Sequence, residues 1–152
     1  MAILLKAEIH KVSADRIRPL RHKELRKGEC FSTTSYLRDD DHETFHMACI
    51  KEGEIAACAT FYPQFSEKIF AVNAYRLRGM ATASHLQRQG YATDLMKASF
   101  QELQDVNCDM LWCNARLVAV DFYKSMGFKI VGELFDIAGI GAHYYMYKKF
   151  IK

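Results

Sequence analysis

The 152-residue chain contains neither G-x-x-x-x-G-K-[ST] nor G-x-G-x-x-G, which excludes the two commoner glycine loops for nucleotide phosphates. Its formal net charge is +3, and the basic residues are spread along the chain apart from a cluster between Arg16 and Lys27. That balance is too mild to call for nucleic acid, and the cluster reads as a solvated helix face. No apolar run is long enough to span a membrane. The short apolar stretch Met1–Ile9 lacks a basic leader and a cleavage site, so Ala2–Ile9 reads as a first strand rather than a signal. The five cysteines, at 30, 49, 58, 108 and 113, are odd in number and show no C-x-x-C spacing. Cys49, Cys58 and Cys113 sit in apolar strand-like runs, which predicts free thiols in a reducing, cytoplasmic setting. There is no repeat and no low-complexity tract. Half of the residues are hydrophobic and 26% are charged, so the expectation is one globular domain over residues 1–152 with a sizeable core.

The pattern along the chain predicts the order β-α-β-β-β-α-β-α-β-β. Ser13 is placed to cap a helix that runs through Arg26, with Ile17, Leu20 and Leu25 on one stripe and Pro19 in an early turn or at a kink. Lys27-Gly28 ends it, and Cys30 to Asp41 reads as a polar loop. Thr44–Lys51 and Ile55–Tyr62 form a hairpin around Lys51-Glu52-Gly53-Glu54. A loop over Pro63–Lys68 leads to a strand over Ala71–Thr82. A helix then follows Gly90 to about Asp105, with Leu95, Met96, Ser99, Leu103 and Val106 inward. Met110–Asn114 is a short strand, Val118–Met126 a helix ended by Gly127, and Phe128–Phe135 and Tyr144–Tyr147 are the last strands. The strand-helix-strand unit around residues 75–114 implies a parallel pair with a right-handed crossover.

His42-Glu43-Thr44-Phe45-His46 matches H-E-x-x-H, a zinc signature that requires a helix so that both histidines reach one metal, about 6 Å of rise apart. From Thr44 onward the residues alternate as a strand, with Phe45, Met47 and Cys49 on one side and His46, Ala48 and Ile50 on the other. On a strand four residues span roughly 13 Å, too far for one zinc. No metal is expected.

Gln87-Arg88-Gln89-Gly90-Tyr91-Ala92 carries more chemistry. It lies between the strand-like run Tyr75–Ala81 and an amphipathic helix. A strand that turns through glycine into a helix start presents unbonded N–H groups and the positive end of a dipole, a phosphate-binding device. Two further features follow it: Asn114 near a strand end, in Leu111-Trp112-Cys113-Asn114-Ala115, and Phe122-Tyr123-Lys124-Ser125-Met126-Gly127-Phe128. Together they resemble the GCN5-related N-acetyltransferase (GNAT) superfamily. Leu77–Thr82 followed by Gln87–Ala92 matches its strand, Q/R-x-x-G-x-G/A, helix motif, with Ala92 where glycine is commoner. Ala119, Phe122, Tyr123, Gly127 and Phe128 match its A-x-x-F-Y-x-x-x-G-F motif. Arg18–Arg26 is similar, more weakly, to the first-helix region of small bacterial members.

The resemblance implies an α/β fold with a mixed sheet of six to seven strands, helices on both faces and a splayed central parallel pair. It implies acetyl-CoA as co-substrate and no metal. The pantetheine would pair with the backbone of Met80, Ala81 and Thr82, and the pyrophosphate would rest on the turn of Gln87, Arg88, Gln89, Gly90, Tyr91, Ala92 and Thr93. Tyr123 would be the acid at the leaving thiolate, and Asn114 would bond the cofactor or a water that relays the amine proton. His143, read as preceding the last strand, is a candidate base. The activity implied is acetyl transfer to a primary amine of a small molecule or peptide. The alternatives are a non-catalytic acyl-CoA sensor of the same fold, and transfer of a longer acyl group or to a hydroxyl. The acceptor regions implied, 16–41 and 133–145, carry Asp39, Asp40, Asp41, Glu133 and Asp136 for a cationic amine. They also carry Arg18, Arg21 and Arg38 for a carboxylate, so the signs conflict. Nucleic acid and membrane are not expected partners, and strand-edge pairing into a homodimer is open.

Overall fold

The computed structural model describes residues 7–150. Seven strands form one mixed sheet in the order β1-β2-β3-β4-β5-β7-β6. They are β1 (Glu8–Val12), β2 (Phe45–Lys51), β3 (Glu54–Pro63), β4 (Ala74–Thr82), β5 (Met110–Arg116), β6 (Lys129–Ile137) and β7 (Gly141–Lys149). The helices are α1 (Ala14–Leu25), α2 (Tyr91–Asp105) and α3 (Val120–Ser125). The element order and the parallel β4–β5 pair are those the pattern predicts. The first strand differs in extent: it runs on to Val12, and the Ala2–Lys6 part of the expected strand lies outside the described residues.

The chain divides into two compact units. One comprises the chain up to Tyr62 with Gly79–Gln101; the other comprises Pro63–Arg78 with the chain from Glu102.

In the first unit β2 and β3 form the expected hairpin, with Lys51 opposite Glu54. Glu52 and Gly53 both have positive φ, 52° and 80°. That pair of left-handed residues makes a two-residue turn whose twist matches the strands it joins. Ile17 and Leu20 of α1 bury their side chains against Ala48, Cys58, Ala81 and Ala83. Each such large apolar side chain contributes about 1.5–3 kcal/mol. Pro19 sits inside α1 rather than at its start, so the Asp15 carbonyl loses its partner from the helix ladder. Ser13 is the N-cap by position but makes no side-chain cap hydrogen bond. On α2, Leu95, Met96 and Ser99 are fully buried, as their spacing predicts.

In the second unit the parallel ladder joins Ala74–Arg76 to Met110–Trp112. β5 then pairs antiparallel with β7 along its whole length, from Met110↔Lys149 to Arg116↔His143. Met110, Trp112 and Tyr145 form the core here, packed by Ile69, Ala71, Val131 and Phe135 among others. Leu103 is buried, whereas Val106, expected inward, is 45% exposed because α2 ends at Asp105. The predicted helix from Val118 begins only at Val120, after a single 3-10 turn over Leu117–Ala119. Gly127 at φ 93° ends it, and the Gly127 N–H donates to the Lys124 carbonyl at 3.0 Å. Pairing of β6 with β7 shifts between Val131 and Phe135, where the left-handed Gly132 opens a bulge.

Candidate active site

In the first unit Met80, Ala81 and Thr82 lie on β4, directly after Gly79. Gly79 has φ 64°, and a Cβ there would come within 3.1 Å of Tyr36 Cε2 and 3.2 Å of Arg21 Nε. Both the backbone conformation and the space call for glycine. The strand therefore distorts immediately before Met80 and is packed from beneath by Arg21 and Tyr36.

The turn to α2 follows. Arg88 and Gly90 have positive φ, 63° and 87°, on either side of Gln89. Such alternation of hand turns successive N–H groups toward one side, which favours an anion. Gln87, Arg88, Gln89 and Gly90 are exposed. The first helix-type donor is Asp94, whose N–H reaches the Gly90 carbonyl at 3.0 Å. Tyr91, Ala92 and Thr93 precede it, so their N–H groups have no partner within the helix. A Cβ built on Gly90 meets nothing within 4 Å. These residues fit a diphosphate: unbonded donors at a helix start, open space and the side chain of Arg88 close by.

The buried charges of this unit answer the conflict of signs left by the sequence. Arg21 and Asp39 were candidates for binding an acceptor's carboxylate or ammonium, but their side chains are only 0% and 4% exposed. Arg21 donates from Nη1 to Asp39 Oδ2 at 2.7 Å and to the Thr34 carbonyl at 2.8 Å. From Nη2 it donates to Asp39 Oδ1 at 3.0 Å and to Thr60 Oγ1 at 2.6 Å. Its guanidinium also lies over the Tyr36 ring, 3.9 Å from the centroid. The loop that carries Asp39 is therefore pinned through a buried ion pair instead of running free. Arg18 is held by Thr34 Oγ1 at 3.0 Å, and Arg38 by Asp41 at 2.7 Å and by the Tyr62 ring. These charges build the loop. Asp40, Glu133 and Asp136 remain exposed.

His46 stands on β2, as the alternation predicts, and is buried. Its Nδ1 lies 2.7 Å from Thr60 Oγ1 and its Nε2 3.0 Å from the Asp39 carbonyl, so both ring nitrogens are engaged. Burial is the first cause that lowers its pKa, against the opposing influence of Asp39.

In the second unit, strand alternation sets which side chains of β5 share a face. Trp112 and Asn114 project from one face of β5 and Cys113 from the other. Asn114 lies opposite Tyr145, and Arg116 opposite His143, in the β5–β7 ladder. Asn114 and His143 therefore share a face. His143 sits inside β7 rather than before it, and is 3% exposed. Its Nδ1 is 2.7 Å from the Gly141 carbonyl, so Nδ1 carries the proton and donates. The imidazole stacks on Phe135 at 5.9 Å.

Tyr123 stands on α3. It is 5% exposed and packs against Phe122 and Phe128. Burial pushes its pKa well above 10, the Cys113 thiol pushes the same way, and Arg116 opposes them. The phenol therefore stays protonated at any working pH.

A cavity of about 500 Å³ opens beside Asn114, walled by Gln64, Phe65, Glu67, Lys68, Trp112, Phe135 and Tyr145. The sequence places Phe65 in the ordinary loop Pro63–Lys68. No periodicity marks a loop aromatic as part of a wall, so only the folded chain reveals it. Among the described residues, no group of three or more His, Cys, Asp or Glu is placed to hold a metal ion, and no helix is long and apolar enough to cross a membrane.

Residues 14–128 match the family model described as "Acetyltransferase (GNAT) family". An uncharacterized N-acetyltransferase of Bacillus subtilis (strain 168), YitI, is 34% identical over 141 residues, covering 93% of this chain and 95% of that protein. Solved structures share the fold at low identity. One is a Lactobacillus plantarum protein assigned as an N-acetyltransferase, with TM-score 0.78 and 16% identity, covering 97% of this chain and all of that one. Another is an aminoglycoside 6'-N-acetyltransferase complexed with coenzyme A, with TM-score 0.77 and 14% identity, covering 95% and 98% of the two chains. The ribosomal-protein-S18-alanine N-acetyltransferase of Escherichia coli aligns with TM-score 0.73 and 16% identity, covering 94% and 93%.

Proposed function

The chain belongs to the GNAT family of acetyltransferases, and from that premise we propose that it moves the acetyl group of acetyl-CoA to a primary amine, as one cytoplasmic catalytic domain with Tyr123 as the acid. The observation that carries the reading is the turn into α2. It has left-handed Arg88 and Gly90, an exposed backbone, and three helix-start N–H groups without helical partners.

Acetyl-CoA supplies an activated acetyl thioester. The residues of the chain do the rest. The N–H groups of Arg88 to Thr93 hold the pyrophosphate, with Gln87 and Arg88 flanking it. The backbone of Met80, Ala81 and Thr82 takes the pantetheine as an added strand edge. A backbone N–H of the Met80–Ala81 region donates to the carbonyl oxygen as negative charge gathers on it. The distortion at Gly79, braced by Arg21 and Tyr36, sets the direction of that N–H. An amine is mostly protonated at neutral pH and must shed a proton to attack. Asn114 orients it directly or through a water. His143, with its proton held at Nδ1 by the Gly141 carbonyl, presents Nε2 as an acceptor on the same face. Tyr123 gives its proton to the departing thiolate, and its burial keeps that proton in place until then.

The test of the cradle is acetyl-CoA affinity in two variants of Gly90. Aspartate and asparagine have similar shape and both tolerate positive φ, so Gly90→Asp and Gly90→Asn differ chiefly in charge. Calorimetry should show Gly90→Asp binding at least about tenfold more weakly than Gly90→Asn, about 1.4 kcal/mol. Equal affinities would remove the pyrophosphate from this turn.

A further inference from the structure

We propose that the cavity beside Asn114 is the acceptor subsite, and that it selects a small primary amine carried on a flat aromatic body. The proposal rests on the acetyl-transfer reading and names its substrate class. About 500 Å³ suits a small organic molecule rather than a folded partner. Four aromatic rings wall it: Phe65, Trp112, Phe135 and Tyr145. Trp112 and Tyr145 are stacked, 5.1 Å between centroids and 13° between planes. The Trp112 Nε1–H donates to the Gln64 carbonyl at 2.9 Å, and the Tyr145 hydroxyl pairs with Ser66 Oγ. Both polar handles are thus spent on the protein itself, which fixes the two rings as flat apolar surfaces in a wall that otherwise carries Gln64, Glu67, Lys68 and Asn114.

Phe65 is 71% exposed although it lines the cavity. A large ring left in water at a rim gains free energy when a ligand covers it. Charge separates the acceptor classes. The wall carries one carboxylate, Glu67, and one ammonium, Lys68, whose Nζ already lies over the Tyr145 ring at 5.5 Å from its centroid. A polyamine or an aminoglycoside brings several cations and would need several carboxylates. One balanced pair matches a single ammonium with an apolar body. Asn114 is the uncharged hydrogen-bonding group on the cavity side of β5, so the amine end of the ligand points to it and the ring lies among the aromatics.

Trp112 is the only tryptophan of the chain, so its emission reports entry to the cavity independently of turnover. Phenethylamine, spermidine, kanamycin and an alanine-initiated peptide would each be titrated into the intact protein, and acetylated product would be quantified chromatographically. Phenethylamine should change Trp112 emission saturably and should have a kcat/KM at least about tenfold above the others, equivalent to 1.4 kcal/mol. Phe65→Ala should raise the KM for phenethylamine about tenfold while the KM for acetyl-CoA stays unchanged, as expected for a rim aromatic anchor. Spermidine, kanamycin or the peptide as the preferred acceptor, with phenethylamine leaving the emission unmoved, would overturn the subsite and leave acetyl transfer standing. Saturable phenethylamine binding that Phe65→Ala weakens, without transfer to any amine, would uphold the subsite and overturn acetyl transfer.

Discussion

Replacing Arg21 by methionine is the sharpest test of what holds the first unit together. The substitution keeps an unbranched stem of similar length but removes the guanidinium, and with it four hydrogen bonds of 2.6–3.0 Å. Asp39 is left 4% exposed at its side chain, with the Tyr36 N–H at 2.9 Å still donating to Oδ2. Breaking a buried pair by removing one partner costs about 3–5 kcal/mol, because the remaining charge is uncompensated. Against a total stability of about 5–15 kcal/mol that is a large share. It corresponds to roughly 6–20 °C in Tm for a chain of this size.

The pH dependence identifies the cause. In the parent protein burial pushes the Asp39 pKa up, but the Arg21 hydrogen bonds and charge and the Tyr36 N–H outweigh it, so the net shift is downward. That contribution to stability is present above the unfolded value of about 3.9 and is lost as pH falls through the lower folded value. Without Arg21 burial dominates and the folded pKa rises above the unfolded one. The penalty is then complete at neutral pH and shrinks as pH falls through the raised value. His46 acts in the same direction. Its pKa is held down first by burial and also by the Arg21 charge, so removing Arg21 eases its protonation. Urea unfolding followed by far-ultraviolet circular dichroism should therefore give a stability difference of about 4 kcal/mol at pH 7 and a clearly smaller one at pH 4.5. A difference under about 1 kcal/mol at pH 7, or one that grows with acid, would refute the buried-pair account.

Tyr123→Phe should lower kcat by about 10²–10⁴-fold, the range for a positioned proton donor, and barely change acetyl-CoA affinity. In the parent enzyme, kcat should show no descending alkaline limb from tyrosine ionisation below pH ~10, because burial raises that pKa; such a limb, or an undiminished rate in the variant, would remove the acid role. Gly79→Ala places a Cβ 3.1 Å from Tyr36 at a positive φ; it should cost about 1–3 kcal/mol and weaken acetyl-CoA binding through Met80, and a variant equal to the parent in both respects would uncouple the Gly79 conformation from the site. Among the five cysteines only Cys30 is exposed, and the Ser32 side-chain and backbone hydrogen bonds lower its pKa, whereas burial raises Cys58 to about 12 and Cys108 to about 11. Ellman's reagent should thus titrate one thiol in the native protein and five in denaturant, and fast labelling of a second native thiol would contradict the packing.

Helix and strand positions were legible where the signal is local. The alternation from Thr44 to Ile50, the apolar run Ile55–Tyr62 beyond the Glu52-Gly53 turn, and the three-and-four spacing of Leu95, Met96, Ser99 and Leu103 are each signals carried within one local segment. Boundaries were less so: β4 starts at Ala74 instead of Ala71, and Val106 falls past the end of α2. Charge was misread where partners are distant in sequence. Arg21 and Asp39 are separated by 18 residues and Arg21 and Thr60 by 39, so no spacing rule connects them.

The sequence by itself determined the element order, the glycine-opened turn at Gln87–Ala92, the strand that carries Asn114 and the helix that carries Tyr123. These depend on backbone conformation and short-range periodicity, which a chain encodes locally. Tertiary structure decided which charges are spent on the fold and which side chains meet. It pairs Arg21 with Asp39, sets Asn114 and His143 on one face, and gathers Phe65, Trp112, Phe135 and Tyr145 around one cavity. Those arrangements arise from strand register and long-range packing, where residues far apart along the chain exclude water from one another.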